Sequence, residues 1–204
     1  FMLMRWLGTR RGMTLTALLG GLVSSTATTA AMARWAREAP AWRSLAASGA
    51  TLACAAMFAR MALLVAVAAP SLGWPPVVIF GTMAFSGAVA GAWMNARTPR
   101  DGLPELQVDN PLKLTAAVQF AAFLSAVMLG TRLLAERLGD AGVLLTAAIS
   151  GLLDVDAITL SIAQLVSQDK LGISVAVLAL FIAAGVNQVT KLCLMATVDG
   201  KALA

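Results

Sequence analysis

Apolar residues run in long stretches along this chain, separated by short polar or charged connectors. The first full stretch covers about Met13 to Ala33. It is weakly apolar, because Gly20-Gly21 and the hydroxyl-rich Ser24 to Thr29 interrupt it. A loop carrying Arg34, Arg37 and Arg43 follows. The second stretch, about Leu45 to Ala69, ends at the breaker run APSLGWPP. The third, about Val77 to Trp93, is rich in glycine and alanine and leads into the hydrophilic connector NARTPRDGLPELQVDNPLK. The fourth runs from Leu114 to Leu134, the fifth from Ala141 to Val166, and the sixth from about Ile173 to Ala196. The runs are continuous rather than alternating, which excludes a membrane barrel. Several approach or exceed the roughly 20 residues that carry an α-helix across a bilayer. The pattern predicts one all-α membrane domain over residues 1–204, a polytopic helical bundle of about six transmembrane helices.

Composition agrees. The 204 residues are 59% hydrophobic and 12% charged, against about 25% charged in soluble domains. The net charge of +5 does not point to nucleic acid, because the basic residues cluster between spans, where they set topology. If every span crosses fully, one side collects Arg5, Arg10, Arg11, Arg132, Arg137 and Lys201. The other collects Arg34, Arg37, Arg43, Arg97, Arg100, Lys113 and Lys170. Six against seven gives no orientation. There is no histidine, which removes the commonest metal ligand and the ordinary neutral-pH proton shuttle. Cys54 and Cys193 fall inside expected spans without a CxxC spacing and read as small buried thiols. The start, FMLMRWLGTRRG, lacks the apolar core of a signal peptide and reads as the tail of a helix that begins before Phe1.

An internal repeat organises the rest. Shifted by 130 residues, Arg10 to Ala33 overlies Asp140 to Ala163 with nine matches in 24 positions, including Gly12/Gly142, Thr16/Thr146, Gly21/Gly151 and Thr29/Thr159. Asp154 falls on Ser24, and Asp156 on Thr26. One further residue of offset pairs Arg60 with Lys191, each a lone cation in an apolar run. Repeat A is expected over about 10–69 and repeat B over about 112–198, with a linking helix at about 75–95. Three intervening spans give both copies the same direction if every span crosses fully; a re-entrant segment would overturn that.

Two aspartates in GLLDVDAIT are the chemical signal. On a regular helix Asp154 and Asp156 would point about 200° apart, and a carboxylate facing lipid is untenable. Gly151 before the pair, like Gly20-Gly21 before SSTATT, favours a broken helix. Freed carbonyls, carboxylates and hydroxyls then form an oxygen-rich cage of the kind that hard cations such as Mg²⁺ prefer. The expected ion-binding set is Asp154, Asp156 and Thr159 with Ser24, Ser25, Thr26, Thr28 and Thr29. The two aspartates would be the metal ligands, and Arg60, Asn187 and Lys191 the charge partners. Ser161, Gln119 and Gln164 are further polar candidates. Arg60 lies near the centre of its span, where snorkelling is hard. Lys191 lies near the end of its span, where snorkelling is the ordinary alternative.

GGLVSSTATT followed by Ala33-Arg34, then GDAGVLLTAAISGLLDVDAITLSIAQL, together with NPLKL, Asn187 and Lys191, resembles the C-terminal membrane region of long bacterial MgtC/SapB-type proteins, a domain of unknown function. The resemblance covers nearly the whole chain. It implies a bacterial inner (plasma) membrane and magnesium-linked physiology, the latter mainly through a separate N-terminal domain that this sequence lacks. It also implies an additional helix before RWLGTRRG.

Three functions are expected to compete. The first is a transporter or channel for an inorganic cation, expected divalent (Mg²⁺ or a transition metal), with its site at the interface of the two repeats. The second is a proton-coupled anion carrier that uses Arg60 and Lys191. The third is a non-transporting membrane regulator or assembly subunit. No cofactor is expected beyond the ion as substrate, and an enzyme is not expected. The Gly87-xxx-Gly91 pair suggests a homodimer face.

Overall fold

The computed structural model describes residues 9–38, 40–98 and 136–196, with scattered positions between 122 and 134. The expected fourth span, with Gln119, lies largely outside the described residues. Regular structure within them is entirely helical. It comprises α1 (Thr9–Glu38), α2 (Arg43–Ala68), α3 (Trp74–Arg97), α4 (Asp140–Gly151), α5 (Asp156–Ser167) and α6 (Ile173–Ala196). By residue count and hydropathy four helical segments qualify as membrane spans: Gly12–Glu38, Pro40–Ala68, Trp74–Arg97 and Ile173–Ala196, the first of them broken at Ser24. Their outer faces carry large apolar side chains. On α3, Phe85 is 72% exposed and Trp93 55%, a surface that needs lipid around it. The chain is a helical membrane protein.

The described residues form two compact units. One holds those of 1–60, 80–108 and 189–204; the other holds those of 61–79 and 109–188. In the first, α1 departs from the sequence expectation. Its backbone is non-helical at Ser24, with φ −158° and ψ 104°, and the chain folds back there. A Cβ on Gly20 would lie 2.7 Å from Thr28 Oγ1, although a straight helix separates those positions by about 12 Å. A Cβ on Gly49 of α2 would lie 2.9 Å from Met32 Sδ and 3.5 Å from Ala17 Cβ, two residues about 22 Å apart along an unbroken helix. Both ends of α1 also meet the last turns of α3: Asn95 Nδ2 donates to Thr14 Oγ1 at 2.6 Å, and Ala36 shares a cavity lining with Arg97.

The expected first span, Met13 to Ala33, is therefore a helical hairpin with its tip at Ser24. Each arm of about 15 residues reaches about 22 Å, short of a hydrocarbon core of about 30 Å. Small residues permit the close packing of the arms: Ala17, Ala33, Ala36 and Ala46 are buried with Met13, Met32 and Trp42. The straight first span expected from the sequence is replaced by this hairpin.

The second unit contains the expected fifth span, Ala141 to Val166. It is two helices, α4 and α5, of 12 residues each. The interruption lies at 152–155, where the glycine and the aspartates place it, and the two helices contact each other across it. α5 also lies against the 3-10 turn Pro70–Leu72, whose exit requires Gly73 at φ +75°. Pro75 and Pro76 then fall in the first turn of α3, where a missing N–H costs little.

The helix after each broken segment leaves the unit that holds the segment. α2 passes from the first unit to the second at residue 60, and α6 from the second to the first at residue 188. The glycine pair expected to mark a dimer face packs against α2 of the same chain. A Cβ on Gly87 would lie 3.2 Å from Ala55 Cβ and one on Gly91 2.7 Å from the Leu52 side chain. Ser48 Oγ donates to the Gly91 carbonyl at 2.8 Å. Spacing alone marked a close-packing face without saying which helix fills it.

Candidate functional site: two helix breaks

The breaks use the same local chemistry. At Ser24, Oγ accepts from the Ala27 N–H at 3.3 Å, so the hydroxyl caps the second arm of α1. At its register partner, Asp154 Oδ1 accepts from the Asp156 N–H at 2.6 Å, so the carboxylate caps α5. Both residues satisfy N–H groups that a helix start leaves without an intrahelical partner. Further pairs keep the spacing of 130. Thr16 Oγ1 donates to the Gly12 carbonyl at 2.7 Å and Thr146 Oγ1 to the Gly142 carbonyl at 2.8 Å. Added Cβ atoms on Gly21 and Gly151 would lie 2.6 Å from Ala53 Cα and 2.5 Å from the Ala183 carbonyl oxygen.

The first break is held by cations. Arg60 is half-buried, and its Nη1 donates to the Leu22 and Val23 carbonyls, which the end of the first arm leaves without helical N–H partners. Lys191 is 2% exposed. Its Nζ donates to Ser25 Oγ at 2.8 Å and lies 3.0 Å from Met57 Sδ. Lys191 thus does not snorkel; it is bound at the break. Thr28 Oγ1 donates back to the Ser24 carbonyl at 2.9 Å. Thr29 is 1% exposed, and its hydroxyl has no hydrogen-bond partner among the described residues. Thr26 is half-buried.

The second break is held by a neutral group. Asn187 Nδ2 donates to the Gly151 carbonyl at 2.9 Å, the counterpart of what Arg60 does at the first break. Asp154 is buried and Asp156 half-buried in the first turn of α5, where the helix dipole favours negative charge. Thr159 and Ser161 donate to carbonyls four residues back, at 2.7 Å and 2.9 Å. Gln164 and Asp140 are exposed, away from this cluster. Among the described residues no group of three or more Cys, Asp or Glu is placed to hold a metal. An ion at the second break would therefore draw on hydroxyls and backbone carbonyls beside the two carboxylates. The capping role of Asp154 and the carbonyl contacts of Arg60 escaped the sequence reading. A carboxylate after Gly151 at a helix restart was the signal available for the first; nothing local marked the second.

Hairpin, half-length helices and buried polar groups within apolar segments define a polytopic helical membrane protein with discontinuous helices. It belongs to the family described as a domain of unknown function, DUF4010, which matches residues 1–199. An uncharacterized protein of Aquifex aeolicus (strain VF5) is 26% identical over 180 residues, covering 87% of this chain and 78% of that protein. Neither match carries the MgtC/SapB name. No solved structure matches the chain.

Proposed function

We propose that this chain is a transporter or channel of a bacterial inner membrane for an inorganic cation, divalent by preference, taken at the break between α4 and α5. The observation that carries this reading is the paired carboxylates, Asp154 and Asp156, at an unwound turn inside an apolar segment. Ionisable groups in such places generally mark ion pathways. Unwound backbone in transporters commonly coordinates the coupled or carried ion. The resemblance to MgtC/SapB-type proteins supports magnesium as a first candidate.

The same proposal takes about 10–69 and 112–198 as two copies of one structural unit around a linking helix at about 75–95. Matched caps, matched Thr-to-Gly bonds and matched Gly–Ala contacts support it.

A specific observation favours a second reading. Lys191 and Arg60 converge on the break at Ser24, where the second arm of α1 begins, and a helix start attracts anions. An anion carrier would bind its substrate there.

Flux into proteoliposomes, with and without a pH gradient, separates the readings. Mg²⁺ or Mn²⁺ flux that is lost in Asp156→Asn supports the cation transporter. Chloride or phosphate flux that is lost in Lys191→Met, with none for metals, supports the anion carrier. Absence of flux for every ion overturns both and leaves a regulatory or assembly role.

A further inference from the structure

One end of the first unit has the shape and chemistry of a lipid site. A cavity of about 660 Å³ is lined there by Arg43, Ser44, Trp93, Arg97, Thr98 and Met195, among others, and no acidic residue is among its described lining. The Arg97 guanidinium carbon sits 3.9 Å from the Trp93 ring centroid, which holds its charge beside the cavity by cation–π attraction. α2 begins at Arg43, so the positive end of its dipole adds to the field. Trp93 also lines a second, apolar depression of about 440 Å³ with Phe85, Val89 and Ala90. The two hollows meet at that tryptophan. One is basic and lies at the helix ends; the other is greasy and runs along the exposed face of α3.

We propose that this pair of hollows binds an anionic phospholipid. The phosphate is held by Arg43 and Arg97, and an acyl chain lies along Phe85, Val89 and Trp93. Guanidinium groups suit phosphate oxygens, and tryptophan at a helix end is typical of the headgroup level. A free phosphate would use the basic hollow and leave the apolar one without a role; a phospholipid explains both and their junction. The site is independent of the ion reading, since none of its residues belongs to either helix break.

The test is native mass spectrometry of the detergent-purified chain. Wild type, Arg43→Gln/Arg97→Gln, Arg43→Lys/Arg97→Lys and the control Arg137→Gln, exposed and lining neither hollow, would be titrated with phosphatidylglycerol and with phosphatidylcholine of identical chains. Wild type should retain phosphatidylglycerol roughly tenfold better, the order expected from two arginines near an anionic headgroup. The double glutamine variant should fall to the phosphatidylcholine level, while the lysine variant and Arg137→Gln keep most of the preference. Equal retention of both lipids by wild type, or an undiminished preference in a folded double glutamine variant, would overturn the proposal. Displacement of the lipid by millimolar inorganic phosphate would also overturn it, by showing a free-anion site.

Discussion

Lys191 donates through Nζ to the hydroxyl of Ser25 at 2.8 Å, joining the last turns of α6 to the tip of the α1 hairpin. Both side chains are at least 97% buried, and a buried polar atom that loses its partner bears the desolvation penalty alone. Ser25→Ala and Lys191→Met should each destabilise the chain, and the double variant should lose less than the sum. The coupling from a thermal-unfolding cycle should be about 1–3 kcal/mol. Strict additivity would mean the contact contributes nothing.

Asp154 combines a capping role with a proposed ligand role, and substitution separates them. Asparagine caps as well as aspartate, while alanine costs about 1 kcal/mol. Asp154→Asn should therefore keep the melting temperature and lose metal flux, whereas Asp154→Ala should lose both. Asp156→Asn should resemble Asp154→Asn. If Asp154→Asn transported metal at the wild-type rate, the carboxylate would be a cap and nothing more.

Much of this chemistry is legible in the chain. The shift of 130 placed Asp154 on Ser24, and these two residues turn out to cap the restarted helices. Gly21 and Gly151 were one of two shared glycine pairs, and each permits a close backbone approach to an alanine. The hairpin was not legible. A 27-residue apolar stretch has the same length and hydropathy whether it is straight or folded, and the reversal rests on one backbone conformation at Ser24. Arg60 was expected as a charge partner of the ion site; its contacts to the Leu22 and Val23 carbonyls arise where the helix breaks.

Glycine substitutions should separate tight sites from open ones. Gly21→Ala and Gly151→Ala place a methyl against backbone atoms that cannot rotate away, so each should cost about 1–3 kcal/mol. Gly185→Ala meets nothing within 4 Å and should be neutral or stabilising by about 0.5 kcal/mol through helix propensity. Melting temperatures in one detergent would rank the three. A Gly151→Ala variant as stable as Gly185→Ala would contradict the packing of α4 on Ala183.

The hairpin has a direct chemical readout. With Cys54 and Cys193 replaced by serine, cysteines at Ala17 and Met32 should be joined by a short thiol crosslinker within one chain. Cysteines at Leu19 and Val23, four residues apart and both exposed on a single arm, supply a positive control. Failure of the first pair, with the control joined, would require α1 to be straight.

The fold-back bears on which way the protein faces. With both arms of α1 returning to the same end, a hairpin that enters and leaves the bilayer on one face keeps Arg34 and Arg37 on the face where α1 begins. They gather with Arg43 at the start of α2 and Arg97 at the close of α3. The even balance of six against seven counts α1 as a crossing, and a re-entrant hairpin shifts that balance. Clusters of this kind generally resist translocation. The expected polarity has the hairpin opening inward: a membrane-impermeant thiol reagent added outside intact cells should leave a cysteine at position 37 unlabelled while modifying it in inverted vesicles, and labelling from outside would reverse that orientation.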